Sequence, residues 1–163
     1  MNLFKKLKKK SNELSLHSVS NGLFVPISEV KDDVFSQKML GDGFAIRPNT
    51  KEIYSPISGV VTSVFPTKHA IGLKSETGIE VLVHMGIDTV ELEGKPFDVF
   101  VKEGDTITSA TKLADMDLGM LVENNKQSDV LVIVTSGEAI DFQLNSSSDV
   151  AANDLVGSVI LSK

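Results

Sequence analysis

One stretch of the chain sets a histidine at the end of an apolar run: Gly78-Ile79-Glu80-Val81-Leu82-Val83-His84-Met85-Gly86-Ile87-Asp88-Thr89-Val90. The unbroken apolar residues before the histidine predict a buried strand, and the glycine after it predicts where that strand ends. A second histidine, His69, lies fifteen positions upstream in Phe65-Pro66-Thr67-Lys68-His69-Ala70. If the two imidazoles meet in the fold, they form a two-histidine site, and the sequence offers almost no other candidate chemistry.

Short strands separated by turn residues fill the chain from Gly22 onward. Runs rich in Val, Ile and Phe, punctuated by Pro, Gly, Asn and Asp, predict strands at Leu23–Ile27, Gly43–Ile46, Gly59–Phe65, Ala70–Lys74, Ile79–His84, Val130–Thr135 and Gly157–Leu161. A short helix is predicted at about Asp117–Asn125, and the polar stretch Thr135–Val150 predicts a longer loop. Many short strands with at most one or two short helices predict an all-β fold, an antiparallel sandwich or barrel.

The composition narrows the class of protein. A chain of 163 residues is long enough for one domain with its own core. It has no cysteine, which excludes disulfides, zinc–thiolate sites and thiol catalysis. No apolar stretch approaches the length of a membrane span, and no apolar signal-peptide segment follows the basic N-terminus. These features are compatible with a cytoplasmic protein.

Charge is unevenly distributed along the chain. The net charge is −6, yet the first ten residues hold five lysines and no acid, which gives +5. The remaining residues hold 11 Lys and Arg against 22 Asp and Glu, which gives −11. An acidic body argues against a nucleic-acid partner and favours a basic protein partner.

Residues 1–18 are predicted to form an arm and a linker, with the main domain at residues 19–163. Met1, Leu3, Phe4 and Leu7 fall near one face of a helix whose other positions are lysines. Such a helix could lie on an anionic membrane, at the inner face of the cell membrane, or it could be a solvated, frayed terminus. The polar stretch Ser11–Asn21 is interpreted as the linker, and His17 within it as a residue without a functional role.

The histidine segment resembles the phosphorylation-site signature of the glucose-class enzyme IIA domains of the bacterial phosphotransferase system. Two further motifs of that family occur in the family's order, Gly41-Asp42-Gly43-Phe44-Ala45-Ile46 and Thr67-Lys68-His69-Ala70. The resemblance runs from about Gly22 to the C-terminus. It implies a barrel-sandwich hybrid built from a duplicated β motif, and the repeated Pro-Ile-Ser at residues 26–28 and 56–58 agrees with a duplication.

The resemblance also implies a role for each residue of the site. His84 is the phosphoryl acceptor, because a neutral imidazole is a nucleophile at cell pH. His69 binds the phosphoryl oxygens, and Thr67, on the same strand face, orients its ring. Gly86 lets the backbone approach closely, and Asp88 holds a backbone amide or a partner group.

A docking surface is expected around the two histidines. The resemblance implies an apolar patch that serves donor and acceptor proteins alike, formed by Val34, Phe35, Met39, Leu40, Phe65, Leu82 and Val90. Apolar residues beside the charged Asp32 and Asp33 suit a protein-binding surface, although the same residues could belong to the core. Leu82 alternates with His84 along its strand, which predicts that both face the site.

The implied partners are the small carrier protein HPr, as phosphoryl donor, and the IIB domain of a sugar permease, whose cysteine accepts the group. Proteins regulated by the phosphorylation state are a further class of partner, since a phosphohistidine changes the local charge. No cofactor is required for phosphoryl transfer, although the resemblance allows a zinc ion held by His69, His84 and a partner's carboxylate.

Other functions are weighed against this one. A zinc hydrolase using His69 and His84 would need a third protein ligand, and only Asp88 is at hand. A biotinyl or lipoyl carrier would need a lysine at a hairpin tip between apolar residues, and neither Lys68 nor Lys74 has those neighbours. A non-catalytic binding module is the remaining alternative, in which His84 is never phosphorylated.

Overall fold

The computed structural model describes residues 13–136, 140–144 and 148–161. Its strands are Glu13–His17 (β1), Gly22–Pro26 (β2), Asp42–Pro48 (β3), Glu52–Tyr54 (β4), Gly59–Val64 (β5), Ala70–Ser75 (β6), Glu80–Met85 (β7), Phe97–Val99 (β8), Thr106–Ile107 (β9), Lys112–Met116 (β10), Val130–Val134 (β11), Ile140–Leu144 (β12), Asp149–Val150 (β13) and Leu155–Leu161 (β14). Its helices are two short α-helices, Asp33–Ser36 and Leu118–Glu123, and two 3₁₀ helices, Ile27–Glu29 and Thr89–Leu92.

The strands form three antiparallel sheets within the described residues. The largest has eight strands in the order β13-β2-β3-β11-β7-β6-β5-β9. Two three-stranded sheets, β1-β14-β12 and β4-β10-β8, complete the fold. The predicted all-β antiparallel sandwich architecture is confirmed, and so are all seven predicted strands, each within two residues at either end. No helix in the described part of the chain is long and apolar enough to cross a membrane.

Strand β11 is the centre of the large sheet. It pairs with β3 on one side and with β7 on the other, and all five of its residues are buried. Val130, Val132 and Val134 belong to the main core, whereas Leu131 and Ile133 belong to a second cluster. A strand covered on both faces must be apolar at every position, which explains the run Val-Leu-Val-Ile-Val.

The second cluster covers the face of the sheet that carries His84. It contains Val25, Ile27, Val30, Phe35, Ala45, Ile87, Leu131 and Ile133. The segment that supplies Ile27, Val30 and Phe35 begins with a 3₁₀ helix and ends in the helix Asp33–Ser36, whose first turn is capped by the Asp32 carboxylate accepting from the Val34 amide at 2.9 Å. This segment brings Phe35 over the end of β7, where it contacts the His84 ring.

The predicted linker at Ser11–Asn21 is wrong from Glu13 onward. Glu13–His17 is strand β1, which pairs with β14, and the domain therefore includes residues that we had assigned to the arm and linker. Its leucines point inward at alternate positions, and Leu16 and Val19 are fully buried. Glu13, Ser15 and His17 alternate with these leucines and are only partly buried, so the segment reads as polar in sequence although its apolar residues belong to the core. The predicted amphipathic helix at residues 1–10 lies outside the described residues.

The predicted loop at Thr135–Val150 is also wrong in part. Ile140–Leu144 is strand β12, paired with β14, and Asp149–Val150 is strand β13, paired with β2. The predicted helix is present at Leu118–Glu123, with Asp117 as its cap, while the helix Asp33–Ser36 was not predicted. The strands that the sequence did not reveal have two to five residues each, whereas the seven predicted ones have five to seven.

We predict that Leu16→Ala lowers the free energy of unfolding by about 2–4 kcal/mol, because Leu16 is fully buried in the main core. The matched control is Leu23→Ala, since Leu23 is 37% exposed and should cost less than about 1 kcal/mol. Urea unfolding of both variants measures the difference. Equal costs would contradict the packing of β1 into the core.

Candidate functional site

The two predicted histidines meet at the ends of neighbouring strands. His84 lies near the end of β7, and His69 immediately precedes β6, where Ala70 pairs with His84. The Met85 amide donates to the His69 carbonyl at 2.7 Å, which extends the pairing to His69. The imidazole centroids are 5.2 Å apart and the ring planes are nearly perpendicular, at 79°. A group that binds to one ring is therefore within reach of the other.

The ring of His84 is held by the turn that follows it. Its Nδ1 lies 2.8 Å from the Gly86 carbonyl oxygen. A carbonyl only accepts hydrogen bonds, so Nδ1 carries the proton and donates it. In the neutral ring the lone pair then lies on Nε2, which is the nucleophilic atom.

Gly86 has the backbone conformation that this bond requires. Its φ of +80° lies in the left-handed region, where residues with a side chain are strained. A Cβ at this position would lie 2.4 Å from the Thr89 Cγ2 atom and 3.1 Å from the Gln127 carbonyl oxygen. The close approach that we predicted for Gly86 is thus present, and it turns the chain back so that its carbonyl meets the His84 ring.

The ring of His69 is held by a side chain instead. Its Nδ1 lies 2.7 Å from the Thr67 hydroxyl oxygen, and the residue is only 8% exposed. A hydroxyl either donates or accepts, so this contact permits both tautomers of a neutral ring. When Thr67 donates, the proton of His69 is on Nε2, where it is available to an acceptor between the two rings.

Both imidazoles lie among aromatic rings. The Phe35 ring centroid is 4.9 Å from that of His84, and the Phe65 centroid is 5.5 Å from that of His69. The pKa of His84 is lowered to about 4, mainly by burial and next by the charge of His69, while the Gly86 carbonyl and the carboxylates of Asp32 and Asp88 oppose this. Burial also lowers the pKa of His69. Both rings are therefore neutral at pH 7.

The predicted apolar patch divides into an exposed set and a buried set. The exposed members are Val34, Met39, Leu40, Phe65 and Val90. Phe35 is buried, and Leu82 is partly buried and packs against the second core cluster. Leu82 and His84 are the partly buried residues of β7 and alternate with buried ones, so the prediction that they share a face is confirmed.

Asp88 does not hold a backbone amide of the helix that it precedes. It is exposed, its φ is +60°, and its side chain makes no capping hydrogen bond to the 3₁₀ helix Thr89–Leu92. A bond from Asp88 to an amide of this helix is therefore not present, and its bond to a partner group stays a prediction. Its carboxylate instead opposes the lowering of the His84 pKa by its charge.

Sequence reasoning missed an ion pair beside the turn that follows His84. The Arg47 Nε atom donates to the Asp129 Oδ1 atom at 2.9 Å, and the Asp129 side chain is almost fully buried. The Asp129 carbonyl accepts from the Gly86 amide at 2.9 Å. The available signal was that Arg47 is the only arginine of the chain and that Asp129 directly precedes the buried run Val130–Val134.

A zinc hydrolase lacks the ligands that it would need. In the described ranges, no group of three or more His, Cys, Asp or Glu side chains is placed to hold a metal ion. The two imidazoles supply at most two of the three protein ligands of a catalytic zinc site.

Comparisons with known proteins agree with this geometry. The chain matches the family described as phosphoenolpyruvate-dependent sugar phosphotransferase system, EIIA 1, over residues 14–140. The phosphotransferase-system glucose-specific EIICBA component of Streptococcus pneumoniae is 46% identical over 147 residues, which are 90% of this chain and 20% of that protein. The glucose-specific EIIA component of Staphylococcus epidermidis is 44% identical over 136 residues, 83% of this chain and 82% of that protein. The solved glucose permease IIA from Mycoplasma capricolum has a TM-score of 0.85 and 33% identity, covering 90% of this chain and 95% of that one.

Fold and site together define an all-β protein with a two-histidine centre at the end of its central strands. The chain belongs to the EIIA type 1 family of the phosphoenolpyruvate-dependent sugar phosphotransferase system. It is therefore a phosphocarrier component of that system. It spans about a fifth of the length of the S. pneumoniae relative.

We predict that Gly86→Ala lowers the free energy of unfolding by about 2 kcal/mol or more, because it adds a steric clash to a left-handed φ. Gly78→Ala is the matched control, since its φ is +91° but nothing lies within 4 Å of its Cβ. This control should cost only about 1 kcal/mol. Chemical unfolding compares the two. A cost for Gly86→Ala no greater than for Gly78→Ala would show that the turn has room for a side chain.

We also predict that His84 titrates near pH 4. Because this folded-state pKa is below the ordinary value of about 6.5, the unfolded chain binds more protons between the two values. The contribution of His84 to stability is therefore complete above about pH 7 and is lost, by at most about 3 kcal/mol, as the pH falls to about 4. NMR titration of the ring measures the pKa, and the wild type should lose more stability over this range than His84→Gln. An ordinary pKa for His84 would contradict the burial of its ring.

Proposed function

We propose that this chain carries phosphoryl groups on His84 for the uptake of a glucose-type sugar. It accepts the group from phospho-HPr and passes it to the cysteine of the IIB domain of a sugar permease. The observation that supports this proposal best is the hydrogen bond from the His84 Nδ1 atom to the Gly86 carbonyl, since it directs the lone pair of the ring to Nε2. The glucose-specific names of the relatives support the class of sugar.

The transfer itself is an exchange of one bond to phosphorus for another. The lone pair on Nε2 attacks the phosphorus atom, a nitrogen–phosphorus bond forms, and the bond from phosphorus to the donor atom of HPr breaks. That electron pair leaves with HPr. In the second half of the cycle the cysteine thiolate of IIB attacks the same phosphorus, and the pair of the broken bond returns to Nε2.

The residues around His84 supply what such a transfer needs, which is mainly position and stabilisation of charge. The low pKa keeps the lone pair of His84 free of a proton at pH 7. The ring of His69 lies beside that of His84 and nearly perpendicular to it. When Thr67 donates to the Nδ1 atom of His69, the Nε2 proton of His69 can be donated to a phosphoryl oxygen. The hydrogen bond to Gly86 is retained when Nε2 bears the phosphoryl group, because it uses the other nitrogen.

The surface around the site suits protein partners. Val34 and Met39 are exposed apolar residues near Phe35 in the chain, and the exposed Phe65 ring contacts His69. The carboxylates of Asp32 and Asp88 act on His84 by their charge. Exposed apolar side chains favour docking, while acidic groups favour a partner with basic side chains. We propose that HPr and the IIB domain use this one surface in turn, since both must reach the same Nε2 atom.

The test is phosphoryl uptake from labelled phosphoenolpyruvate in the presence of enzyme I and HPr. We expect label on the wild type and none on His84→Ala, which lacks the acceptor nitrogen. His69→Gln should accept label but pass it to IIB at least about tenfold more slowly, since it loses the imidazole donor. His17→Ala is the matched control, because this third histidine lies on β1, away from the site, and should behave as the wild type.

Each outcome decides between the functions weighed for this chain. Label on His84→Ala would show that another residue accepts the phosphoryl group. An unlabelled wild type would remove the phosphocarrier proposal and leave a binding module.

A further inference from the structure

The ion pair between Arg47 and Asp129 lies at the same end of the large sheet as His84. Arg47 belongs to β3, and Asp129 directly precedes β11, the strand between β3 and β7. Both nitrogens of the guanidinium edge face the carboxylate, with Nε to Oδ1 at 2.9 Å and Nη2 to Oδ2 at 3.4 Å. Asp129 is 2% exposed, so its charge is removed from water and is compensated by this arginine.

A continuous chain of hydrogen bonds joins this pair to the proposed phosphoryl acceptor. The Asp129 carboxylate accepts from Arg47, and the Asp129 carbonyl accepts from the Gly86 amide at 2.9 Å. The Gly86 carbonyl in turn accepts from the His84 Nδ1 atom at 2.8 Å. The next residue repeats the link, because the Ile87 amide donates to the Gln127 carbonyl at 3.1 Å. Two backbone hydrogen bonds, to the carbonyls of Gln127 and Asp129, thus hold the turn after His84.

The pair acts on His84 through the position of the backbone and not through its charge. The electrostatic influences on the pKa of His84 come from His69, Asp32 and Asp88, together with burial and the Gly86 carbonyl. Arg47 and Asp129 largely cancel each other's field because they form a close pair. What they fix is the place where β11 begins, and therefore the place of the carbonyl that accepts from Gly86.

We propose that Arg47 and Asp129 are positioning residues for His84. Their pairing fixes the start of β11 against β3 and thereby holds the Gly86 peptide in register. The Gly86 carbonyl then keeps the proton of His84 on Nδ1 and the lone pair on Nε2. An ion pair that served stability alone would leave the tautomer of His84 unchanged when it is broken. Only the kinetic part of this inference rests on the proposed phosphocarrier function.

The first measurement is the tautomer of His84, read from the ¹⁵N chemical shifts of its ring in the full chain. The wild type should show the proton on Nδ1. Asp129→Asn keeps the shape of the side chain but loses the charge that binds Arg47, and it should give a mixture of tautomers at His84. Arg47→Lys keeps the cation but loses the planar fork, and it should shift His84 in the same direction by a smaller amount.

The matched control is Asp115→Asn, which removes the carboxylate of another ion pair. The Lys112 Nζ atom lies 3.0 Å from the Asp115 Oδ1 atom, on strand β10 of a different sheet. This variant also removes one carboxylate, yet it should leave the His84 spectrum as in the wild type. If Asp129→Asn is too unstable to record, Arg47→Lys alone provides the measurement.

The second measurement is the rate of phosphoryl uptake from phospho-HPr. Asp129→Asn should lower kcat by about tenfold or more and leave KM for HPr unchanged, since the docking surface is intact while the nucleophile is misplaced. An unchanged tautomer and kcat, with only the stability reduced, would overturn the inference, as would a raised KM with an unchanged kcat. A wild type that takes up no label would contradict the proposed function instead, and the tautomer measurement would still decide the role of the pair.

Discussion

Burial of β11 on both faces is the constraint around which this molecule is arranged. The strand has no polar residue between Val130 and Val134, so each face must be covered by other parts of the chain. The main core covers one face, and the segment from Val25 to Phe35 covers the other. Because β7 pairs with β11, the same cover encloses the end of β7, and Leu131 lies directly opposite His84. The histidine is thus partly removed from water by the packing that stabilises the sheet.

Partial burial gives His84 its chemical character. A histidine in water would carry a proton part of the time near neutral pH, whereas burial beneath Phe35 and beside His69 keeps this one neutral. The Gly86 carbonyl then selects which nitrogen holds the remaining proton. Two effects of different origin, desolvation by packing and a hydrogen bond from a turn, therefore combine to present one nitrogen lone pair. Neither effect needs a nearby charged base.

The surroundings of the site reconcile two opposed requirements. A neutral nucleophile is favoured by an apolar environment, and a partner protein docks best on exposed apolar surface. A phosphoryl group, in contrast, brings negative charge that an apolar environment does not stabilise. His69 answers this need in our proposal, because its ring is held by Thr67 beside His84 and can donate to a phosphoryl oxygen. The charges of Asp32 and Asp88, which act on His84, would oppose the negative charge of that group.

The sequence by itself determined the seven strands with clear apolar patterns, including the one that carries His84, together with the short helix after Asp117 and the identity of both site histidines. These features could be read because each depends on residues adjacent in the chain, where alternation, apolar runs and turn residues act locally. The tertiary structure alone decided the rest. Strands β1 and β12 form because β14 lies between them and supplies their hydrogen bonds, although polar residues interrupt both and neither has an unbroken apolar run. The contact between His69 and His84 joins residues 15 positions apart, and the pairing of Arg47 with Asp129 joins residues 82 positions apart. The burial of Phe35 likewise depends on distant parts of the chain. Such contacts are fixed by how the sheets pack, because no short stretch of the chain contains both partners.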